Sequence, residues 1–179
     1  KKAEQYVATL LLTKELMSPK KPLEWSQSFI EEAKGIAPST DNILIAYTIF
    51  YYELGANGYE AASQTIDGYK MIPLTNKNRL ILQLVTQVRQ IDSYKSDNPD
   101  TKLITSLHKQ LSKAEPISYK RSEALLASLQ GNERLAEKRL QEAMKQCEQG
   151  IQQYGFLEAE KQLTLLLQKT IQKRAQLTI

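Results

Sequence analysis

The apolar residues of this chain recur with the spacing of amphipathic helices rather than of strands. The clearest example is the helix predicted to follow the N-cap residues 39–41 and to end at Leu54, whose inward stripe consists of Leu44, Tyr47, Thr48 and Tyr51. Positions i, i+3, i+4 and i+7 lie on one face of a helix, and this pattern is typical of a core stripe. No segment shows the convincing alternation of a half-exposed strand. The pattern therefore predicts an all-α protein.

Short breaks rich in Gly, Pro, Ser and Asn divide the pattern into helices that pair as hairpins. We predict four antiparallel helix hairpins and one last helix, over residues 3–37, 39–72, 76–115, 118–150 and 154–176. The segment Gly55-Ala56-Asn57-Gly58 is expected to be a turn. The sixth helix is expected to start at Asn98-Pro99-Asp100, with Asn98 as the N-cap and Pro99 at the first helical position.

The segment after Gly131 predicts how one hairpin packs. Gly131 breaks one helix, and the next carries Ala136, Leu140 and Ala143 on one face. Small side chains at the closest approach let two helix axes come near, and the larger Leu fills the space beside them. This small–large–small spacing resembles the helical hairpin of a tetratricopeptide repeat (TPR).

Two further hairpins resemble the tetratricopeptide family in part. In the first, the small, large, small and Pro positions correspond to Ser26, Ile30, Ala33 and Pro38. In the second, Leu54-Gly55 and Tyr59-Glu60-Ala61-Ala62 resemble the family's Gly-x-Tyr-x-x-Ala turn with two extra residues, while residues 76–116 depart from the motif. The resemblance implies a TPR-like α-solenoid of about four hairpins, closed by a C-terminal capping helix. An irregular all-α bundle with similar turns is the alternative.

Length and composition agree with a single helical domain. The chain has 179 residues, 41% of them hydrophobic, which is enough for a core. It starts Lys1-Lys2-Ala3 rather than with Met, so we expect it to be excised from a longer protein. The longest nearly apolar run, residues 43–52, is too short to span a bilayer. One cysteine excludes an internal disulfide and leaves the compartment open, cytoplasmic or periplasmic.

Few residues are suited to catalysis. His108 is the only histidine, and its place between Leu107 and Leu111 on a helix indicates a surface or boundary residue rather than a base. Cys147 is interpreted as a half-buried spacer rather than a reactive thiol. The sequence contains no His-Glu-x-x-His motif, Gly-rich phosphate loop or cysteine pair. We therefore expect a protein that is not an enzyme and that uses no cofactor or metal.

Charge is distributed unevenly along the chain. Residues 22–60 carry six acidic residues against Lys34 alone, a net charge of −5, whereas residues 161–179 carry four basic residues and no acidic one. We interpret the basic end as a solvated helix whose cations complement its own C-terminus. Nucleic acid is not expected as a partner, because the basic residues have no aromatic neighbours for base stacking.

The candidate binding site lies in the aromatic second hairpin. The residues at 47, 50, 51 and 52 are all aromatic and cannot all point to one side of a helix. In a repeat stack, the remaining face lines a concave groove, here consisting of Asn42, Ile45, Ile49, Tyr52 and Glu53. Tyr offers a wide contact area, and Glu53 favours a basic peptide. In the alternative, these residues pack on the neighbouring hairpin or on a second copy.

These observations predict a non-catalytic protein–protein interaction module that binds a peptide or partner protein in a helical-repeat groove. The first eighty residues also resemble the repeat regions of CadC- and ToxR-like bacterial transcription regulators. The residues that carry this resemblance are Glu4-Gln5-Tyr6, Ile30-Glu31-Glu32-Ala33, Pro38 and Tyr52-Glu53-Leu54-Gly55. It implies an alternative function as the sensory or dimerisation domain, possibly periplasmic and self-associating, of a membrane-linked regulator.

Overall fold

The computed structural model describes residues 2–36, 43–73 and 79–177. These residues form helices and turns without any strand, so the prediction of an all-α protein is confirmed. A 3-10 turn, Pro22–Glu24, lies between the first two helices. The helices are α1 (Lys2–Leu16), α2 (Gln27–Ile36), α3 (Ile43–Asn57), α4 (Tyr59–Gln64), α5 (Asp67–Lys70), α6 (Arg79–Lys95), α7 (Thr101–Gln110), α8 (Pro116–Leu129), α9 (Glu133–Gly150) and α10 (Leu157–Leu177).

The chain divides into two compact units. Unit 1 comprises Lys1–Pro73 together with Gln149–Ala159. Unit 2 comprises Leu74–Glu148 together with Glu160–Ile179. Most of α9 and α10 therefore belongs to unit 2, while the turn that joins them belongs to unit 1.

In unit 1, α3 is the central helix. It contacts α1, α2 and α4, and α1 also contacts α2. Of the predicted stripe, Thr48 and Tyr51 are buried, whereas Leu44 and Tyr47 are only partly buried. Because neighbours cover α3 on several sides, its burial extends to other faces of the helix. Its buried residues are Ile45, Ala46, Thr48, Ile49, Phe50, Tyr51 and Leu54. A helix with this environment is apolar around most of its circumference.

The predicted turn at residues 55–58 is shorter than expected. Helix α3 continues through Gly55 to Asn57, and only Gly58, with a φ of 90°, leaves the helical conformation. The helix predicted over residues 59–72 is instead divided into α4 and α5. Thr65 marks the break, because its hydroxyl donates to the Ala62 carbonyl oxygen at 2.7 Å in competition with the helical ladder.

In unit 2, α6 packs on both α7 and α8, and α7 packs on α8. The start of α7 differs from the prediction in one respect. Asp100, not Asn98, is the N-cap, and its carboxylate accepts a hydrogen bond of 3.0 Å from the Leu103 backbone N–H. Asp100 has the extended backbone that an N-cap requires, so Pro99 precedes the helix rather than occupying its first turn.

The turn at Gly131 ends α8 with a Schellman motif. Gly131 has a φ of 79°, its N–H bonds to the Ser128 carbonyl oxygen, and the Asn132 N–H bonds to that of Ala127. Asn132 then caps α9 by accepting from the Leu135 N–H. The predicted inward face of α9 is confirmed, since its buried residues are Ala136, Leu140, Ala143 and Cys147.

The turn between α9 and α10 packs on the chain after α1 within unit 1. The Gly155 N–H donates to the Ser18 carbonyl oxygen at 3.0 Å, and Phe156 stacks on Tyr51 with ring centroids 5.6 Å apart. A Cβ atom on Gly155 would lie 2.0 Å from the Lys20 carbonyl oxygen. This position therefore requires glycine, a constraint that the sequence pattern does not reveal.

Candidate functional site

Two residues of the predicted groove lie in the core of unit 1. Ile45 is 0% exposed and Ile49 is 8% exposed, and both belong to a cluster with Leu12 of α1 and Ala33 of α2. The prediction that these two isoleucines line an open groove is therefore wrong. Their packing on the neighbouring helices corresponds to the alternative interpretation. Asn42, the fifth predicted site residue, lies outside the described residues.

Tyr52 and Glu53 are half-buried and interact with residues of α2 and with the end of α3. Gln27 Nε2 donates to the Tyr52 hydroxyl at 2.9 Å. Lys34 Nζ lies 3.3 Å from one carboxylate oxygen of Glu53, and Asn57 Nδ2 donates to the other at 2.6 Å. Lys34 thus already pairs with the carboxylate that was expected to attract a basic peptide.

Unit 2 buries a polar face that the sequence analysis did not identify. Helix α6 carries a buried apolar stripe that includes Leu84, Val88 and Ile91. It also carries a second buried stripe, consisting of Gln83, Thr86, Gln87 and Gln90. These four residues have the i, i+3, i+4, i+7 spacing of one helix face and carry no charge. A run of uncharged polar residues at helical spacing is the signal that would have indicated a buried polar face.

Arg121 of α8 connects three helices inside unit 2. Its Nη2 lies 2.6 Å from Glu160 Oε2 and donates to Gln87 Oε1 at 2.5 Å. Its Nη1 donates to the Glu160 carbonyl oxygen at 3.2 Å and to Thr164 Oγ1 at 3.3 Å. The guanidinium therefore joins α6, α8 and α10, and its charge is compensated within the core as burial requires.

A second arginine links α10 to the end of α6. Arg174 Nη1 donates to the carbonyl oxygens of Tyr94 at 2.9 Å and Ser96 at 2.5 Å. Its guanidinium carbon also lies 5.1 Å from the centroid of the Tyr94 ring. The basic residues of α10 were expected to complement the C-terminus of their own helix. The Arg174 guanidinium also complements the C-terminus of α6.

His108 belongs to a structural hydrogen-bond chain. Gln90 Nε2 donates to Ser122 Oγ at 2.8 Å, and the same oxygen lies 2.6 Å from His108 Nδ1. Burial lowers the pKa of His108, against the opposing charge of Glu123. A neutral ring whose Nδ1 accepts a hydrogen bond from the Ser122 hydroxyl fits this network. Ser122 is fully buried and is therefore not accessible as a nucleophile.

Cys147 is more deeply placed than the half-buried position expected for it. Its side chain is fully buried in α9. Burial raises the pKa of the thiol to about 11, and the charge of Arg121 opposes that increase. The thiol is therefore protonated at neutral pH and is a poor nucleophile. Among residues 2–36, 43–73 and 79–177, no group of three or more His, Cys, Asp and Glu side chains is placed to hold a metal ion.

A narrow groove of about 190 Å³ lies between α9 and α10 in unit 2. Its apolar wall consists of Leu140, Met144 and Leu165. Polar side chains line the rest of it: Gln141, Glu148, Lys161, Thr164 and Gln168. Lys161 Nζ lies 3.8 Å from Glu148 Oε1 at one end, so both signs of charge are present at the rim.

None of the helices in the described part of the chain combines the length and the apolar character needed to cross a membrane. Comparison of the chain with protein-family models, with curated proteins and with solved structures gives no match.

Proposed function

We propose that this protein is a non-catalytic interaction module and that it binds a peptide or partner protein in the groove between α9 and α10. The observation that carries the proposal is the apolar wall of this groove beside a rim of polar and charged side chains. Leu165 is 38% exposed, whereas Leu163 and Leu167 of the same helix are buried. An apolar centre with a polar rim is the usual arrangement of a protein interface.

The size of the groove favours a side-chain anchor over a metabolite. Small-molecule sites usually enclose roughly 300–1,000 Å³, and this groove has about 190 Å³. It suits one apolar side chain of a partner segment, the kind of contact that dominates binding energy. Met144 adds an unbranched and adaptable wall, which tolerates several anchor shapes. A helical partner segment would lie along the groove with its apolar face inward.

The proposed architecture is a TPR-like α-solenoid. It is supported by the order of helix packing within each unit. In unit 1, α1 contacts α2 and α3, and α2 contacts α3; in unit 2, α6, α7 and α8 repeat that order. Nearest-neighbour packing of successive helices is what a stack of helical hairpins requires. Solenoids of this kind usually present binding surfaces.

The single histidine and the single cysteine of the chain have surroundings that support a non-catalytic function. His108 is held by the fully buried Ser122, and Cys147 is buried with a raised pKa. Each side chain therefore has a structural role in unit 2. Neither lines the groove between α9 and α10.

Selection from a displayed peptide library tests the proposal, because no partner needs to be known beforehand. We expect apolar-anchored peptides to be selected, and Leu165→Glu to weaken their binding at least about tenfold. Leu177→Glu is the matched control, since Leu177 lies on the same helix, is 78% exposed and is outside the groove. Peptides that bind the Leu165→Glu variant as tightly as the unmodified chain would place the site elsewhere.

Tyr52 and Glu53 remain a proposed second contact region on unit 1. Their partial exposure is compatible with partner contact, although a basic partner must displace Lys34 from Glu53. The double variant Tyr52→Ala with Glu53→Lys tests this proposal on the same selected peptides. Unchanged affinity in a variant with an unchanged circular dichroism spectrum would remove this region from the binding site.

A further inference from the structure

Helix α1 exposes apolar side chains on its outer face. Val7 is 54% exposed, Leu11 is 57% exposed, and Leu10 beside them is also exposed. Leu12 and Leu16 of the same helix are buried. Helix α1 therefore has two apolar faces, and the described part of the chain buries only the face with Leu12 and Leu16. Neighbouring exposed apolar side chains are one of the features of interaction surfaces.

Charged residues flank the exposed apolar positions symmetrically. Glu4, Val7, Leu11 and Lys14 follow one another at intervals of three, four and three residues and are all exposed. These intervals place them on one helix face with the spacing of coiled-coil core positions. The order is acid, apolar, apolar, base. Reversal of the helix direction exchanges the acid with the base and keeps the apolar pair in the centre.

We propose that the outer face of α1 is a self-association surface on which a second copy of this chain docks with its α1 antiparallel. Val7 of each copy then faces Leu11 of the other, and Glu4 of each copy faces Lys14 of the other. The two copies are then related by a two-fold axis through the centre of the face, so the Val7–Leu11 contact and the Glu4–Lys14 contact each occur twice. This surface is separate from the proposed groove between α9 and α10, and either proposal can fail without the other.

Charge complementarity selects the antiparallel arrangement. In a parallel pair the two Glu4 carboxylates face each other, as do the two Lys14 ammonium groups, and both contacts are repulsive. The antiparallel pair replaces these two repulsions with two attractions. It also keeps Leu10 of both copies beside the apolar centre. The face is therefore complementary to itself in one direction only.

The small size of this face predicts a weak dimer. Two helices that share a few apolar layers bury much less than the roughly 1,600 Å² of a standard interface. We therefore expect a Kd on the order of 10–100 μM, because only a small surplus remains after the cost of association.

Sedimentation velocity over a concentration series tests the proposal. We expect a monomer–dimer equilibrium, and we expect E4K or K14E alone to raise Kd at least about tenfold by placing like charges opposite each other. An equimolar mixture of the two variants restores association, because one chain has two cations on the face and the other has two carboxylates. The double variant E4K/K14E also restores it as a homodimer.

Controls separate the interface from folding. Circular dichroism must show unchanged helicity, because each charge exchange also opposes the dipole of α1. Leu11→Gln should abolish the dimer, whereas Met71→Gln, at an exposed apolar residue outside α1, should leave it intact. A monomer at all concentrations, a dimer that survives Leu11→Gln, or a mixture that does not associate would overturn the proposal. A monomer that binds lipid vesicles through α1 would overturn it as well.

Discussion

The Arg121 guanidinium and the Glu160 carboxylate form an ion pair inside unit 2, with Nη2 2.6 Å from Oε2 and both side chains more than nine-tenths buried. Arg121 also donates to the Glu160 carbonyl oxygen, 39 residues along the chain. The ion pair and the directional hydrogen bond together therefore fix the position of α10 against α8. Removal of one partner leaves the other as an uncompensated buried charge.

Arg121→Met should destabilise the protein by about 3–5 kcal/mol, because Glu160 keeps its burial and loses its counter-charge. Urea unfolding followed by circular dichroism measures this loss. The double variant Arg121→Met with Glu160→Leu should recover most of it, since an apolar pair is often as stable as a buried ion pair. Lys120→Met breaks the neighbouring, partly exposed pair with Glu142 and should cost no more than about 1 kcal/mol. Equal losses for Arg121→Met and Lys120→Met would contradict this account.

The stability of the protein should depend on pH through His108. Its pKa is lowered by burial in the folded state, so the unfolded chain takes up the proton first as the pH falls. The stabilising contribution is complete above the unfolded pKa of about 6.5 and decreases as the pH falls through the lowered folded pKa. Unfolding free energy should therefore rise with pH in that window.

His108→Gln should remove this slope, and measurement of both proteins at matched pH values isolates the contribution of His108. Since the sequence contains one histidine, its ring resonance in a proton NMR titration is unambiguous. A folded-state pKa at or above about 6.5 would contradict the structural role assigned to Ser122 and Gln90.

Gly155→Ala should destabilise the protein by about 1–3 kcal/mol, because the added methyl group meets the Lys20 backbone 2.0 Å away. Gly68→Ala is the matched control. A Cβ atom there meets nothing within 4 Å, so the change should be neutral or stabilising by up to about 1 kcal/mol. Thermal unfolding of both variants tests the pair. Equal effects would show that the contact of Gly155 with residues 18–20 is absent in solution.

Cys147 should be unreactive in the native protein. Its thiol is buried and its pKa is raised to about 11, so a thiol-specific reagent near neutral pH should act only after unfolding. We expect native labelling at least about a hundredfold slower than labelling in urea. The signal is unambiguous because the sequence has a single cysteine. Fast labelling of the folded chain would show that α9 is not packed as described.

The local sequence was sufficient to predict the helical class and the turn at Gly131. Apolar spacing gave the inward face of α9 at Ala136, Leu140 and Ala143, and glycine placed the end of α8 at Gly131. These features depend on residues within one or two helical turns of each other. Their physical basis is backbone propensity and periodicity, which are properties of the local sequence.

Which helix faces are covered depends on how the helices pack together, and the local sequence did not predict it. The sequence pattern assigned Ile45 and Ile49 to a groove, but α1 and α2 pack over both residues. The buried pair of Arg121 and Glu160 was equally absent from the sequence analysis. Burial depends on neighbours that are distant in the chain. A periodic pattern indicates that a helix has an apolar or polar face, but it does not indicate which other helix covers that face. The structure thus closes the predicted groove on α3 and leaves apolar surface exposed on α1 and between α9 and α10.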